Sequence, residues 1–422
     1  MDKKNFIVGD STFSINLEMS KLVEKIMRDS EITFVTEGLV TPVFQEKTDN
    51  RNNIIRWGTN NDFPQQMLNI MQITPEHNAV AKKVAEGVYG DGIDLLNKSQ
   101  LFRNFIENNN EEDNILTIAE KISWDYVSTG AYALEIVWGR GGKQITSIKH
   151  IPVGDVRKSI NKIGDPEMYE MSNNWLNTSK YPPAKIVKFN PNLAKEYPTQ
   201  ILFKKRYVPG CVNYTVPLWF PGTQWILLCN HIANFHLYNT INGYKPSIVF
   251  SFKKSPAPEI QREISERLDE MYTGKGAGTA IKLFAEHPDF QPEITILNAN
   301  NNDQQYVEII EIATQKILNV WGVTDRSIVG ESTSNGFNTS YDRMLMSEYR
   351  FQKNIIDPIQ DTIQQTFNLL AYHSGINTDA ESIIFNKKID EEKFVMLKEL
   401  FGPAAKEIQQ EQEMQKEQNN NI

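Results

Sequence analysis

The run from Thr273 to Ala280, TGKGAGTA, is the nearest approach in this sequence to a phosphate-cradling loop, because glycine-freed backbone N–H groups and a lysine are what such a loop needs. Its spacing is not GxxxxGK[ST]. Lys275 precedes the second glycine of the run, and the run leaves a helical stretch to enter a strand-like one, the reverse of a strand-to-helix phosphate turn. It reads as a connector. Of the six histidines, His231 and His236 stand five apart with no carboxylate at the HExxH spacing, so they read as packing residues rather than metal ligands. No serine lies in GxSxG, and Glu331 and Ser332 have no histidine near them in the sequence. Cys211 and Cys229 form neither a CxxC nor a zinc spacing and are too few for a disulfide framework, which points to a reducing compartment. The chain is read as a non-enzyme without cofactor or metal. Lys253, Lys254, Lys275 and Lys282 cluster in sequence around one small unit and read in a monomer as a solvated face, whereas repetition around a symmetry axis makes them belts of positive charge.

The chain has 422 residues, 40% hydrophobic and 23% charged, the composition of a folded chain too long for a minimal binding module. With 44 basic and 53 acidic residues the net charge is -9, which excludes a protein held on nucleic acid or an anionic membrane by a global positive field. The N-terminus has no apolar stretch of the kind that export needs. Leu218–Ile241 carries no Asp, Glu, Lys or Arg, but Asn230, His231, Asn234, His236 and Asn239 interrupt it, so it is expected to be a packed or oligomer-facing helix and not a membrane span.

Several elements are needed to position these residues. Residues 47–62 are expected to be an Asn-rich loop with one short strand. Helical patterning runs from Asp62 to Gly92, where Thr74 can cap, Pro75 takes the first helical position and Val80, Val84 and Val88 recur. A helix from Leu101 to Asn108 is followed by one from Ile115 to Ser128. Alternation on both sides of Gly139–Gly142 predicts a β-hairpin, with further strands in KIVKFN, TQILFKKRYV and CVNYTV. Two long helices, Thr223–Asn242 and Asp303–Val320, flank a small α/β unit built from SIVFSF, a helix opened by Pro258, GTAIKLF and PEITIL. In the second long helix Tyr306, Ile309, Ile310, Ala313, Ile317 and Val320 share one face, and Glu308, Glu311, Gln315 and Asn319 form a polar stripe opposite. Thr324–Thr339 is a polar loop. A helix from about Tyr341 to Tyr372 is expected to bend at Pro358, and SIIFN, a helix over Glu391–Phe401 and a Gln/Glu/Asn-rich tail close the chain.

The ordered set WDYVSTGAYALEIVW, GKQITSIKHIPVGDVRK, HIANFHLYNTINGYKPSIVFSF, TGKGAGTAIKLF, QKILNVWGVTDRSIVG and NIIDPIQDTIQQTFNLL covers most of residues 75–372 and resembles the portal proteins of tailed bacteriophages. The resemblance implies an α+β portal fold: wing 1–222, stem helices 223–242 and 303–323, clip 243–302 between them, tunnel loop 324–340, long kinked helix 341–372, crown 373–405 and tail 406–422. It departs at Tyr214, Thr215, Val216 and Pro217, where many relatives have Tyr-Gly-x-Pro, and at Asp325, where proline is common; both departures bear on loop geometry.

What the resemblance implies about function is a homo-oligomeric ring of twelve subunits at one capsid vertex of a virion, made in the host bacterial cytoplasm, with no membrane. Double-stranded DNA would pass through it non-specifically. The terminase large subunit, the major capsid and scaffold proteins, and head-completion adaptor proteins would be its partners. Ser332, Thr333, Ser334, Asn335, Gly336 and Asn338 would line the channel, where uncharged groups touch a phosphate backbone without gripping it. The alternatives are another ring-forming head or tail structural protein, or a nucleotide-dependent enzyme using residues 273–280.

Overall fold

The computed structural model describes residues 4–8, 11–15, 44–160, 166–241, 247–252, 259, 262–263, 280–284, 294–297, 303–330 and 341–400. The chain divides into Met1–Thr41 and Pro42–Ile422. In the first unit β1 (Lys4–Val8) pairs antiparallel with β2 (Ser11–Ile15).

The second unit is α+β. It opens on a hairpin, β3 (Glu46–Asp49) and β4 (Ile54–Trp57), where a loop with one strand was expected. The turn closes because the Asp49 carboxylate accepts from the Arg51 and Asn52 N–H groups at 3.0 and 3.2 Å, and Arg56 then bridges back to it at 2.8 Å. Helices α1 (Phe63–Gln72), α2 (Pro75–Tyr89), α3 (Gln100–Glu107) and α4 (Ile115–Thr129) follow. Pro75 sits in the first turn of α2 and Val80, Val84 and Val88 are buried, as their spacing requires, but Thr74 does not cap: its hydroxyl donates to the Ile226 carbonyl at 3.2 Å. Helix α4 stops at Gly130, whose φ of +82° no side chain tolerates well and where a Cβ would stand 2.7 Å from the Val216 oxygen.

The expected hairpin is β5 (Ala131–Trp138) with β6 (Ile145–Ile151), and Gly141 and Gly142 supply positive φ in its turn. With β7 (Val156–Lys158), β8 (Met168–Met171), β9 (Ala184–Lys188) and β10 (Thr199–Lys205) they make one six-stranded sheet, ordered β6-β5-β10-β9-β8-β7 and antiparallel except at β10/β9. Ala133, Ile151, Val156, Tyr169 and Ile201 form its packed face. Near one edge Arg157 is fully buried without a carboxylate partner. Its guanidinium donates to the Asn61 side chain and to the Asn61, Gly154 and Val156 carbonyls at 2.6–2.8 Å, and burial lowers its pKa to about 10.

The strand expected at CVNYTV is absent, because side chains take the backbone groups that a ladder would use. Glu46 accepts from the Asn213 and Tyr214 N–H groups at 2.8–3.1 Å, and Lys205 donates to the Cys211, Val212 and Tyr214 carbonyls at 2.8–2.9 Å. SIIFN shrinks to one bridge, Ile93 with Phe385, for the same reason: the Asn368 amide holds the N–H and the carbonyl of Ile383 at 2.7 and 3.1 Å.

Helix α5 (Thr223–Ile241) and helix α6 (Asp303–Val320) are where the periodicity puts them. Between them in sequence, β11 (Ser247–Phe252) pairs parallel with β12 (Ala280–Phe284) and antiparallel with β13 (Ile294–Leu297). The expected helix at Pro258 and the TGKGAGTA run lie mostly outside the described residues. Helices α7 (Tyr341–Phe351) and α8 (Asp357–His373) form the long bent helix, but the irregularity is a π turn, Gln352–Ile356, one turn ahead of the proline. Residues 391–400 are helical, and the tail 406–422 lies outside the described residues.

One buried contact ties the sheet-bearing body to both long helices. His77 on α2 lies between Trp219, which precedes α5, at 4.6 Å edge-on, and Trp321, which ends α6, at 5.5 Å between rings. The Trp321 indole N–H donates to His77 Nδ1 at 3.0 Å, so the neutral ring carries its proton on Nε2. Trp219 donates to the Val127 carbonyl at 3.0 Å. Burial lowers the His77 pKa to about 3, and protonation would set an N–H against the Trp321 N–H. A depressed folded-state pKa makes the unfolded chain the better proton binder, so this stabilisation is whole above the ordinary histidine pKa of 6.5 and declines as pH falls toward 3. We expect wild-type stability to fall by about 2 kcal/mol more than that of His77→Gln between about pH 7 and pH 5. Chemical denaturation followed by tryptophan fluorescence measures it, and equal losses would contradict the junction's role.

Candidate functional site

Helices α5 and α6 pack together as a pair rooted at the His77 junction. Gly222 permits the close approach at the root, because a Cβ there would stand 3.2 Å from Val320. Helix α6 ends in a Schellman motif: Val323 N–H donates to the Leu318 carbonyl and Gly322 N–H to that of Asn319, both at 3.0 Å, with Gly322 at φ +72°. The NVWGV sequence, with glycine one residue past the last turn and valine after it, is the signal for that stop.

Away from the root the pair offers apolar surface. On α5, Ile226, Leu227, Cys229 and Ile232 are buried, but Phe235 and Leu237 are 46% and 58% exposed; on α6, Val307 and Ile312 are 67% and 49% exposed. The buried face of α6 includes Ala313, Ile317 and also Thr314 and Leu318, so it is turned from the expected face and leaves Ile309 exposed at its margin. The stripe of Glu308, Glu311, Gln315 and Asn319 is exposed along its whole length, as the spacing requires.

Beyond α6 the chain turns through a short 3-10 helix, Arg326–Val329, capped by Asp325. The Asp325 carboxylate accepts from the Ser327 N–H at 3.0 Å and the Ser327 hydroxyl at 2.7 Å, and Arg343 on α7 bridges to it at 3.2 Å. These bonds from Ser327, reinforced by Arg343, lower the Asp325 pKa. Arg326 grips Glu311 of the polar stripe through both guanidinium nitrogens, at 2.6 and 3.0 Å. The departure at Asp325 is thus a cap: an aspartate two residues ahead of a serine supplies the acceptor that a proline could not. Sequence patterning missed Arg343, Asp325 and Arg326 as a group, since Arg343 stands far from the other two in sequence. The D-x-S spacing was the one local sign of the cap. At the other departure Tyr214 is buried, stacked on Trp57 at 4.6 Å; its hydroxyl donates to the Ile55 carbonyl and accepts from the Lys158 N–H at 2.8 Å.

Ser332, Thr333, Ser334, Asn335, Gly336 and Asn338, together with Lys253, Lys254 and Lys275, lie outside the described residues. Lys282 is in β12, in register with Phe250 of β11. Among the described residues no group of His, Cys, Asp or Glu is arranged to hold a metal ion. No described helix is long and apolar enough to cross a membrane.

No protein-family model and no curated protein matches the sequence. Solved structures do match. A chain in the neck of an empty gene transfer agent particle, computed with C6 symmetry, superposes with a TM-score of 0.51 and 14% identity over 80% of this chain and 89% of that one. A chain in the neck of the native particle, computed with C12 symmetry, gives 0.51 and 14% over 88% and 94%. An HK97-family phage portal protein from Corynebacterium diphtheriae aligns over 76% of this chain and 95% of its own with a TM-score of 0.46 and 9% identity. This chain has the α+β fold of the gene transfer agent neck chains.

Proposed function

We propose that the protein is a portal: a ring of twelve copies at one capsid vertex, the conduit for double-stranded DNA during packaging and ejection. It is also the docking site for the terminase large subunit and for head-completion adaptor proteins, set among the major capsid and scaffold proteins. The observation that carries this reading is the apolar surface of Phe235, Leu237, Val307 and Ile312 on a helix pair of a chain with the neck fold. A heterologous interface that closes by rotation buries one such face against another in every copy. Covering each half-exposed side chain contributes on the order of 1 kcal/mol, repeated at each interface. The C12 symmetry with which the native particle's neck was computed favours twelve.

In this reading residues 1–222 form the wing, α5 and α6 the stem, 243–302 the clip and 324–340 the tunnel loop, with 373–405 the crown. Lys253, Lys254, Lys275 and Lys282 then lie in twelve-fold belts on the clip, with Lys253 and Lys254 facing the motor or the channel. A net charge of -9 per copy, with uncharged Ser332, Thr333, Ser334, Asn335, Gly336 and Asn338 at the DNA, suits a channel that must pass its cargo and not hold it. In this reading the Asp325–Arg343 contact at 3.2 Å stands at the base of that loop.

Val307→Asp with Ile312→Asp is expected to leave the helical content of the subunit unchanged and to drop the assembly from rings to monomers, read by mass photometry beside circular dichroism. Rings that persist in this variant would refute the stem interface. Deleting Ser332–Asn338 is expected to preserve rings and to impair packaging or retention of DNA; loss of rings would make the loop structural. Binding of the terminase large subunit to intact rings separates a portal from another ring-forming head or tail protein.

A further inference from the structure

We propose that the π turn Gln352–Ile356 is a hinge between α7 and α8, and that residues 385–394 are a strap that holds it closed through Lys387. The device is contained in a single copy of the chain and does not rest on the ring.

A π turn carries one residue more than an α turn, and the next residue but one, Pro358, has no N–H to give to the turn. The helix is therefore weakest here. The turn is seated on two glycines. Ile356 lies against Gly87 of α2, where a Cβ would come within 2.6 Å of it, and Ile355 lies against Gly322 at the end of α6, where a Cβ would come within 2.8 Å. The joint thus rests on the body and on the long helix pair at once. Its polar bolt is Asp357. That carboxylate is buried, accepts from the Gln352 side-chain amide at 2.9 Å, and meets Lys387 at 2.7 Å and Lys353 at 3.7 Å.

Lys387 comes from the strap, which touches both sides of the turn. On the α8 side the Phe385 N–H donates to Gln364 at 2.6 Å; on the α7 side the Phe394 ring meets Tyr349 at 4.8 Å. Lys388 and Lys393 anchor the strap to Asp91 at the end of α2, at 2.6 and 3.3 Å. Helix α7 is also held by Lys83 of α2 at Glu348 and by Arg343 at Asp325, and the strap adds the Lys387 and Phe394 contacts on either side of the turn, so its displacement loosens the hinge itself.

Hydrogen exchange on the full-length protein tests this. In Lys387→Ala, and in Asp357→Asn, which keeps an acceptor for Gln352 but loses the charge, amides over 352–357 are expected to exchange about tenfold faster while those of β10 keep their wild-type rate. Lys387→Arg, which keeps the cation, is expected to restore slow exchange. Wild-type rates at 352–357 in the alanine variant, an equal rise in β10, or an arginine variant as fast as the alanine would each overturn the strap.

Discussion

The rest of the architecture depends on one buried hydrogen bond, from the indole of Trp321 to Nδ1 of His77, with Trp219 packed on the other side of the imidazole. It is the point at which the body built on α2 and α4 meets the root of both long helices. Trp219 and Trp321 exclude water there, which keeps the histidine neutral and keeps its acceptor nitrogen available to the indole. A lysine or an ionised carboxylate in that place would need a buried counter-charge, whereas a neutral imidazole needs only a donor at Nδ1, which Trp321 supplies, and an acceptor for Nε2–H, which has no partner among the described residues. The cost is an acid-sensitive junction.

From that root the consequences run outward. Fixing Trp219 and Trp321 fixes the start of α5 and the end of α6, and with them the direction of the pair. Close approach at Gly222 brings the two helices together, so their buried faces satisfy one another near the body. Farther out the pair runs past the body that covers its root, and Leu237, Val307 and Ile312 are left without cover. The absence of charge along α5, unexplained by the fold of a single copy, follows if those side chains are buried between neighbours, since interface cores are poor in charge. The same root also places Asp325 and Gly322, hence the cap on Arg326–Val329 and the seat of Ile355.

Much of this was legible in the sequence. The ends of α6 are set by local chemistry, periodic apolar residues up to Val320 and a glycine stop at Gly322, and such signals need no tertiary context. The β5/β6 hairpin was legible for the same reason, through alternation and Gly141–Gly142. What sequence patterning misjudged were the extended segments CVNYTV and SIIFN. They have strand composition, but Glu46, Lys205 and Asn368 satisfy their backbone groups from distant positions, and no local pattern encodes a side chain that replaces a ladder. The bend of the long helix was attributed to Pro358, whereas the π turn ahead of it takes the distortion because Gly87 and Gly322 make room for Ile356 and Ile355. The exposure of the stripe Glu308 to Asn319 was legible from its spacing, whereas the Asp325–Arg343 pair was not, because its partners stand far apart in sequence.

The central claim is that the outer faces of α5 and α6 are completed by neighbouring copies in a closed ring. Electron microscopy of the purified protein tests it most directly. The account predicts rings with an axial opening in which Leu237, Val307 and Ile312 are covered by the adjacent copy. Monomers under all conditions, or rings whose contacts leave those three side chains in solvent, would contradict it.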